Sequence, residues 1–343
     1  MATFSINNVK MSGIASCVPQ KKINNLTECS IVERAYREKL CRSIGIFERR
    51  ICPAGVFFSD LAMLSAEKMI AELAWDQKDI DALIIVSQSP DYVTPSTAII
   101  LQDKLGISKD AIAYDVNLGC SGYVFGLHLL ACLISSGSVK KGLLLVGDKS
   151  ASIENPIFSD AATATALEFD ENASPLHFDL HSDGSGYKHI TVPVGAHREP
   201  FAIHHFLPIK QSDGSWKHPE NFLLNGPEVF KFAVRSVPES IQEVLTLGNK
   251  NLCDIDYVFL HQANKIINNT IVNKLHLKEH KTPSSLAGFG NTSGASIPLT
   301  MSTQSDLNNK KVKVIMCGFG VGLSWGSCLM EIDNAKFPPL IEV

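Results

Sequence analysis

The chain has little excess charge of either sign. Among its 343 residues Lys and Arg number 31 and Asp and Glu 35, a formal net charge of −4. That near balance leaves no basic footprint for general nucleic-acid binding and no cationic face for an anionic membrane surface. Long apolar runs are also missing. The longest, around residues 123–134, is interrupted by Gly126 and His128 and is too short to insert across a membrane. Residues 1–13 contain no apolar core of the secretory kind, so no signal segment is expected. None of the nine cysteines stands three positions from another, which removes CxxC-type zinc and dithiol chemistry. An odd number of cysteines without a signal predicts reduced thiols and a cytoplasmic location. No His, Cys, Asp and Glu set has ligand spacing, so neither a metal nor a cofactor is expected.

Apolar residues make up 45% of the sequence, enough for a large core. The length exceeds what one core supports, so two subdomains or a duplicated unit are expected. A repeat is visible. Asp79-Ile80-Asp81 opens the apolar run Ala82–Val86, and Asp254-Ile255-Asp256 opens Tyr257–Leu260. Gly119-Cys120-Ser121-Gly122 precedes an apolar stretch and a strand at 143–146; Gly290-Asn291-Thr292-Ser293-Gly294 precedes another and a strand at 312–316. Two similar halves back to back would bring Cys120 and Asn291 to one pseudo-twofold axis. The expected division is an N-terminal half over 1–170, a crossover with loops over 171–225, and a C-terminal half over 226–333. No low-complexity linker separates the halves.

Residues 10–18 read as the first strand, and 26–40 carry charge on a helical period. Residues 60–73 form an amphipathic helix pattern. Ala82–Val86 is a continuous apolar run, as in a strand covered on both faces. Pro95-Ser96-Thr97 starts a helix through Leu105, and Gly106 stops it. Ile112–Val116 is another strand. Strands alternating with helices predict an α/β fold with a mostly parallel sheet. Residues 169–187 and 197–219 read as loops, 230–247 as a helix, and the tail from Asn334 as a surface trail.

Cys120 lies ahead of an all-round apolar stretch, which predicts a buried helix. At its N-terminus the helix dipole would lower the thiol pKa, and the flanking glycines would let backbone amides approach a bound carbonyl. The alternative is a small buried hydrophobe, a common fate of free cysteine. His261 follows the run Tyr257–Leu260, at the sheet edge where α/β folds place chemistry; a neutral imidazole there could donate a hydrogen bond or exchange a proton. A structural histidine is the other reading. Asn291 offers an uncharged donor for a carbonyl or enolate oxygen, or simply a turn in a Gly/Ser-rich segment. Gly318-Phe319-Gly320-Val321-Gly322 has its third glycine one position early for a dinucleotide loop, so a backbone oxyanion donor near Cys120 is the better role.

Asn117-Leu118-Gly119-Cys120-Ser121-Gly122, His261-Gln262-Ala263-Asn264, Gly290-Asn291-Thr292-Ser293 and the segment from Gly318 through Trp325-Gly326 together resemble the β-ketoacyl-acyl-carrier-protein synthase III family of the thiolase-like superfamily. Gly45-Ile46-Phe47-Glu48-Arg49-Arg50, Phe158-Ser159-Asp160 and Glu228-Val229-Phe230-Lys231 are similar to it as well. The resemblance implies a five-layered αβαβα fold and a homodimer. It implies that Cys120 takes an acyl group from an acyl-CoA or acyl carrier protein (ACP) thioester, and that malonyl-ACP loses carbon dioxide. His261 and Asn291 would stabilise the enolate, which attacks the acyl cysteine to give a 3-oxoacyl-ACP. Backbone N–H groups of Cys120 and of Gly320 or Val321 would form the oxyanion hole, with Thr94 and Phe319 at the acyl pocket and its gate.

The sequence departs from the family pattern at several points. The tryptophan and arginine that clamp the adenine of coenzyme A have no counterpart in 36–44, and a second clamp arginine is absent from 154–157. Ile266 replaces a basic residue expected to help dock the carrier protein, and Thr94 replaces a bulky apolar gate. These changes suggest a specialised paralogue. Two other readings are an acyltransferase with a hydroxyl or amine acceptor and no decarboxylation, and a non-catalytic module that binds acyl carriers.

Overall fold

Side-chain alternation along the central strands sets the architecture. In Ala82–Val86, Leu83 and Ile85 face one apolar cluster while Ala82, Ile84 and Val86 face another. In Tyr257–Leu260, Val258 and Leu260 point to one side and Phe259 to the other. Strands apolar on both faces need a layer on each side. The computed structural model describes residues 2–29, 34–152, 155–207, 209–210, 216–217 and 222–343. Its two main sheets supply those layers.

The six-stranded sheet has the order Ile341–Glu342, Val9–Val18, Ala161–Phe169, Lys141–Asp148, Ala82–Val86, Ile112–Val116. The five-stranded sheet has the order Thr3–Ile6, Leu176–Ser182, Ser324–Asp333, Lys311–Gly320, Tyr257–Leu260. The helices Gly122–Ser135 and Ser296–Ser302 lie between them, in a cluster that joins both sheets through Val86, Leu144, Phe178, Phe259, Ile297 and Met316. Phe58–Leu73 and Thr97–Lys104 cover the outer face of the first sheet, and Gly226–Leu247 and Lys265–Lys274 that of the second. The layers are therefore αβαβα, and the repeat read from sequence is a repeated sheet topology.

The central helix is held by burial. Tyr123, Val124, Leu127, Leu130, Ala131 and Ile134 are fully buried in it. Shortening Leu127 or Leu130 to alanine costs roughly 2–5 kcal/mol. That rigidity carries forward to Cys120, two residues before the helix begins.

Several sequence expectations need correction. The sheets are mixed. Ala82–Val86 pairs in parallel with both neighbours, but Ala161–Phe169 and Ser324–Asp333 pair antiparallel on both sides. A strand at Thr3–Ile6 precedes the one expected first, which spans Val9–Val18. Residues 169–187 contain the strand Leu176–Ser182: Leu176, Phe178 and Leu180 enter the core, while buried Asp179 accepts from Thr3 Oγ1 at 2.8 Å and contacts His181 Nε2 at 2.9 Å. The helix expected over 26–40 is two helices, Asn25–Glu28 and Arg34–Ile44, with residues 30–33 outside the described set. The tail is no surface trail. Ile14 N donates to Lys336 O at 2.9 Å, Phe337 is buried, and Ile341–Glu342 pairs with Cys17 and Val18. Thr3–Ile6 thus joins the second sheet and the tail joins the first, so each half closes over the other.

Candidate active site

Cys120 sits in the turn between Ile112–Val116 and Gly122–Ser135. The turn is tied across to the second half by a 2.7 Å hydrogen bond between the Ser121 and Ser324 hydroxyls. Gly320, at the end of Lys311–Gly320, backs directly onto it. A Cβ there would fall 2.6 Å from Cys120 Cβ and 3.0 Å from Sγ, so only glycine permits this approach. The Val321 N–H, the N–H of Cys120 itself and the Ser293 hydroxyl all reach the sulfur. Cys120 retains partial solvent access, unlike the buried Cys17, Cys29, Cys41, Cys52, Cys317 and Cys328.

The thiol is not acidified. Burial, with a further contribution from the Asp148 charge, pushes Cys120 up to about 12, and the three hydrogen bonds only partly oppose this. The dipole expectation fails because dense low-dielectric surroundings penalise a thiolate more than the start of one helix favours it. Cys120 rests as a neutral thiol.

His261 follows Tyr257–Leu260 and is 1% exposed. Its N–H donates to Cys317 O at 2.8 Å, which continues the parallel pairing with Lys311–Gly320. Ring Nδ1 lies 2.7 Å from Ser296 Oγ, and the Phe319 ring meets the imidazole edge-on with centroids 5.4 Å apart. Burial pushes the imidazole down to about 3, against the opposing pull of a hydrogen bond with the Ser293 backbone. The ring is neutral at any ordinary pH. The Gln262 N–H already donates to Ser296 Oγ, at 3.2 Å, which leaves the Ser296 proton able to point at Nδ1. In that arrangement the ring proton sits on Nε2.

Asn291 is 5% exposed and is fixed from both sides: its N–H donates to Ile157 O at 3.0 Å and its carbonyl accepts from Ser159 N at 2.9 Å. Its Oδ1 accepts from Ser293 N at 2.9 Å, an Asx turn that satisfies the oxygen. Its Nδ2 makes one long contact, 3.4 Å to Ala263 O, so amide donor capacity remains.

Ser293 joins the three side chains: its N–H binds Asn291, its backbone binds the His261 ring and its hydroxyl reaches Cys120. Its φ of +52° is unusual for serine, and the turn holds it there. Ser293 and Ser296 were missed as individual residues in the sequence reading, since a serine among glycines reads as turn chemistry. Asp148 was missed too, although an acid closing the apolar strand Lys141–Asp148 was a usable signal. Phe319, 1% exposed, joins the wall against His261. Thr94 is not brought to this site; it is exposed, in the loop before Thr97–Lys104.

Ile266 is 48% exposed at the start of Lys265–Lys274. The segment expected to carry the adenine clamp, 36–44, lies in the helix Arg34–Ile44, which borders an open cleft of about 810 Å³ lined by Leu26, Thr27, Arg37, Glu38, Arg42 and Phe47. Residue 154, in the region expected to lack the second clamp arginine, lies outside the described residues. Among the described residues no cluster of His, Cys, Asp and Glu could hold a metal, and no helix is long and apolar enough to cross a membrane.

Known proteins resemble this chain in sequence and fold. Residues 114–184 match the 3-oxoacyl-[acyl-carrier-protein] synthase III model and residues 247–332 its C-terminal counterpart. A β-ketoacyl-[acyl-carrier-protein] synthase III from Clostridium perfringens is 33% identical over 338 residues, covering 95% of this chain and all of the relative. A putative 3-oxoacyl-[acyl-carrier-protein] synthase 3 from Campylobacter jejuni is 32% identical, over 96% of this chain and 95% of its own. The crystal structure of a 3-oxoacyl-(acyl-carrier protein) synthase from Burkholderia xenovorans superimposes with a TM-score of 0.92 at 32% identity, covering 99% of both chains. The chain therefore belongs to the β-ketoacyl-acyl-carrier-protein synthase III family: it has the thiolase-like fold and is a condensing acyltransferase.

Proposed function

We propose that this site joins a Cys120-bound acyl group to malonyl-ACP with loss of carbon dioxide. Cys120 attacks the carbonyl of an acyl thioester, a new carbon–sulfur bond forms, and the carrier thiol leaves. The malonyl group then loses carbon dioxide and becomes an enolate. The enolate carbon attacks the acyl cysteine, and the cysteine leaves as the 3-oxoacyl-ACP forms. The observation that carries this reading is the convergence of Cys120, His261 and Asn291 on Ser293.

His261 Nε2–H and Asn291 Nδ2–H are two neutral donors. They stabilise an enolate oxygen without protonating it, and the low pKa of His261 keeps the ring from becoming an acid. The N–H groups of Val321 and Cys120 flank the sulfur and so also flank the oxyanion of each tetrahedral intermediate. Gly320 contributes by its absent side chain.

The donor is a phosphopantetheine thioester of coenzyme A or ACP. The cleft beside Arg37 and Arg42 supports a charged carrier arm, although Arg42 is paired with Glu38 at 2.7 Å and must exchange partners to bind it. A homodimer is supported by the open edge strand Ile112–Val116 and by the neighbouring Tyr92 and Val93, 63% and 93% exposed. In such a dimer Thr94 would act in the partner's acyl pocket. Nine free cysteines suit a reducing cytoplasm.

The test supplies malonyl-ACP carrying a labelled free carboxyl to the acylated enzyme and follows both carbon dioxide and the acyl product. Release of label together with 3-oxoacyl-ACP is expected. Discharge of the acyl group onto a hydroxyl or amine, with the label retained, would overturn the condensing role.

A further inference from the structure

Residues 45–50 and 158–160 carry family motifs that the chemistry above does not use. The fold brings both beside Asn291. Arg49, in the strand Glu48–Arg50, is 0% exposed. Its Nε donates to Asn25 Oδ1 at 2.8 Å, and its Nη1 donates to Ser152 O at 2.7 Å and to Phe158 O at 3.2 Å. Its Nη2 is buried without a hydrogen-bond partner. Asn25, 1% exposed, completes the brace: its Nδ2 donates to Pro156 O at 2.8 Å and to Ile46 O at 3.2 Å.

The braced segment is the one that holds Asn291. Phe158 bridges Asn291 in parallel, through the bonds from Asn291 N to Ile157 O and from Ser159 N to Asn291 O. The Arg49 stem also meets the turn itself. A Cβ on Gly290 would fall 3.2 Å from Arg49 Cγ and 3.0 Å from Ile157 O. Ser159 is pinned from its other side, with Oγ accepting from Arg50 N at 2.6 Å and donating to Arg50 O at 3.1 Å. Strand, segment and turn thus lie side by side, and the guanidinium ties the first to the second.

We infer that Arg49, braced by Asn25, is a positioning residue for Asn291: it fixes residues 156–159 and so sets where the Asn291 amide points during condensation. This rests on the role proposed above for Asn291. A buried guanidinium that donates to neutral oxygens loses its hydration without gaining an opposite charge at hydrogen-bond distance, so it is a poor source of stability. What it supplies is direction. Its planar donors reach Asn25, Ser152 and Phe158 together, which an ammonium on a flexible stem does not match. Asn291 needs that support. Its Oδ1 is committed to Ser293 N, and its Nδ2 has one long contact of 3.4 Å, so the backbone must aim the donor. A displacement of about 1 Å can cost a hundredfold in rate. The Cys120 turn is tied elsewhere, through Ser121 to Ser324 and against Gly320. The brace therefore serves the second half-reaction.

The test is single-turnover kinetics with the half-reactions read separately, acylation by intact mass and condensation by release of labelled carbon dioxide. The proteins compared are wild type, Arg49→Lys, Asn291→Ala and the double variant. Lysine keeps the charge and most of the stem but loses the fork. A positioning role predicts that Arg49→Lys slows condensation roughly tenfold or more while acylation changes by less than about twofold. It also predicts a double variant no slower in condensation than Asn291→Ala alone, because the brace then has no amide to aim. Equal slowing of both half-reactions, as expected of a merely structural arginine, overturns it. So does condensation by Arg49→Lys at the wild-type rate, and so do losses that multiply in the double variant. If Arg49→Lys fails to fold, Asn25→Ala decides: it removes the brace, leaves the guanidinium and must show the same selective loss. Failure of the underlying reading looks different. Asn291→Ala then condenses as fast as wild type, and the positioning role falls with it.

Discussion

The two halves place equivalent turns at the site and finish them differently. After Cys120 the helix Gly122–Ser135 runs for 14 residues and is almost wholly apolar. After Asn291 the helix Ser296–Ser302 runs for only 7 and carries hydroxyls. Ser296 holds the His261 ring, and Thr300 pairs with Ser285 at 2.7 Å. The long helix fixes the proposed nucleophile by burial, and burial leaves its thiol neutral. The short helix trades that burial for hydrogen bonds around the two proposed neutral donors. On the proposed reading, one repeated pattern yields a half that reacts and a half that stabilises charge.

Variants can break that division. Cys120→Ala has the largest expected effect: no acyl adduct with any thioester, while the fold, followed by circular dichroism, is retained. Gly320→Ala comes next. Its Cβ must displace Cys120 by overpacking, with roughly 1–3 kcal/mol lost in denaturant unfolding and acylation suppressed along with condensation. Asn291→Ala should leave acylation in place and slow condensation by about a hundredfold or more. Equal loss of both half-reactions would erase the distinction between the two turns. Ser296→Ala frees the imidazole to rotate and change tautomer. It should slow condensation by about tenfold and destabilise the protein by about 1 kcal/mol, measured by rapid-quench kinetics and urea unfolding.

The smallest effect concerns pH. His261 is about 3 in the folded state, below its ordinary 6.5, so the unfolded chain binds the extra proton first. The stabilising contribution of the neutral ring is complete above pH 6.5 and falls away as the pH drops from there towards 3. Thermal unfolding of His261→Asn should therefore lose less on acidification across that window than wild type does.

The comparison also explains what the sequence disclosed. Ala82–Val86 and Tyr257–Leu260 were legible because both of their faces are apolar. Leu176–Ser182 was hidden because His177, Asp179 and His181 make it look like a loop, although Leu176, Phe178 and Leu180 alternate with them at strand period. Asp179 is tolerated because Thr3 and His181 satisfy it, a pairing that only the fold creates. The tail from Asn334 failed for a similar reason: Pro338-Pro339 suggested a surface trail, whereas burial of Phe337 and pairing at 341–342 are tertiary facts. At the site, Cys120, His261 and Asn291 stood out because each ends an apolar run or interrupts a glycine turn. Ser293 did not, since its importance comes from three contacts made at once, to Asn291 and His261 in its own half and to Cys120 in the other.

The most direct measurement of the central claim is intact-protein mass spectrometry after incubation with a panel of acyl-CoA and acyl-ACP thioesters, followed by addition of malonyl-ACP. The account predicts one acyl increment, mapping to Cys120, that disappears when malonyl-ACP is added. No increment with any thioester, or one that maps to another cysteine, would contradict it.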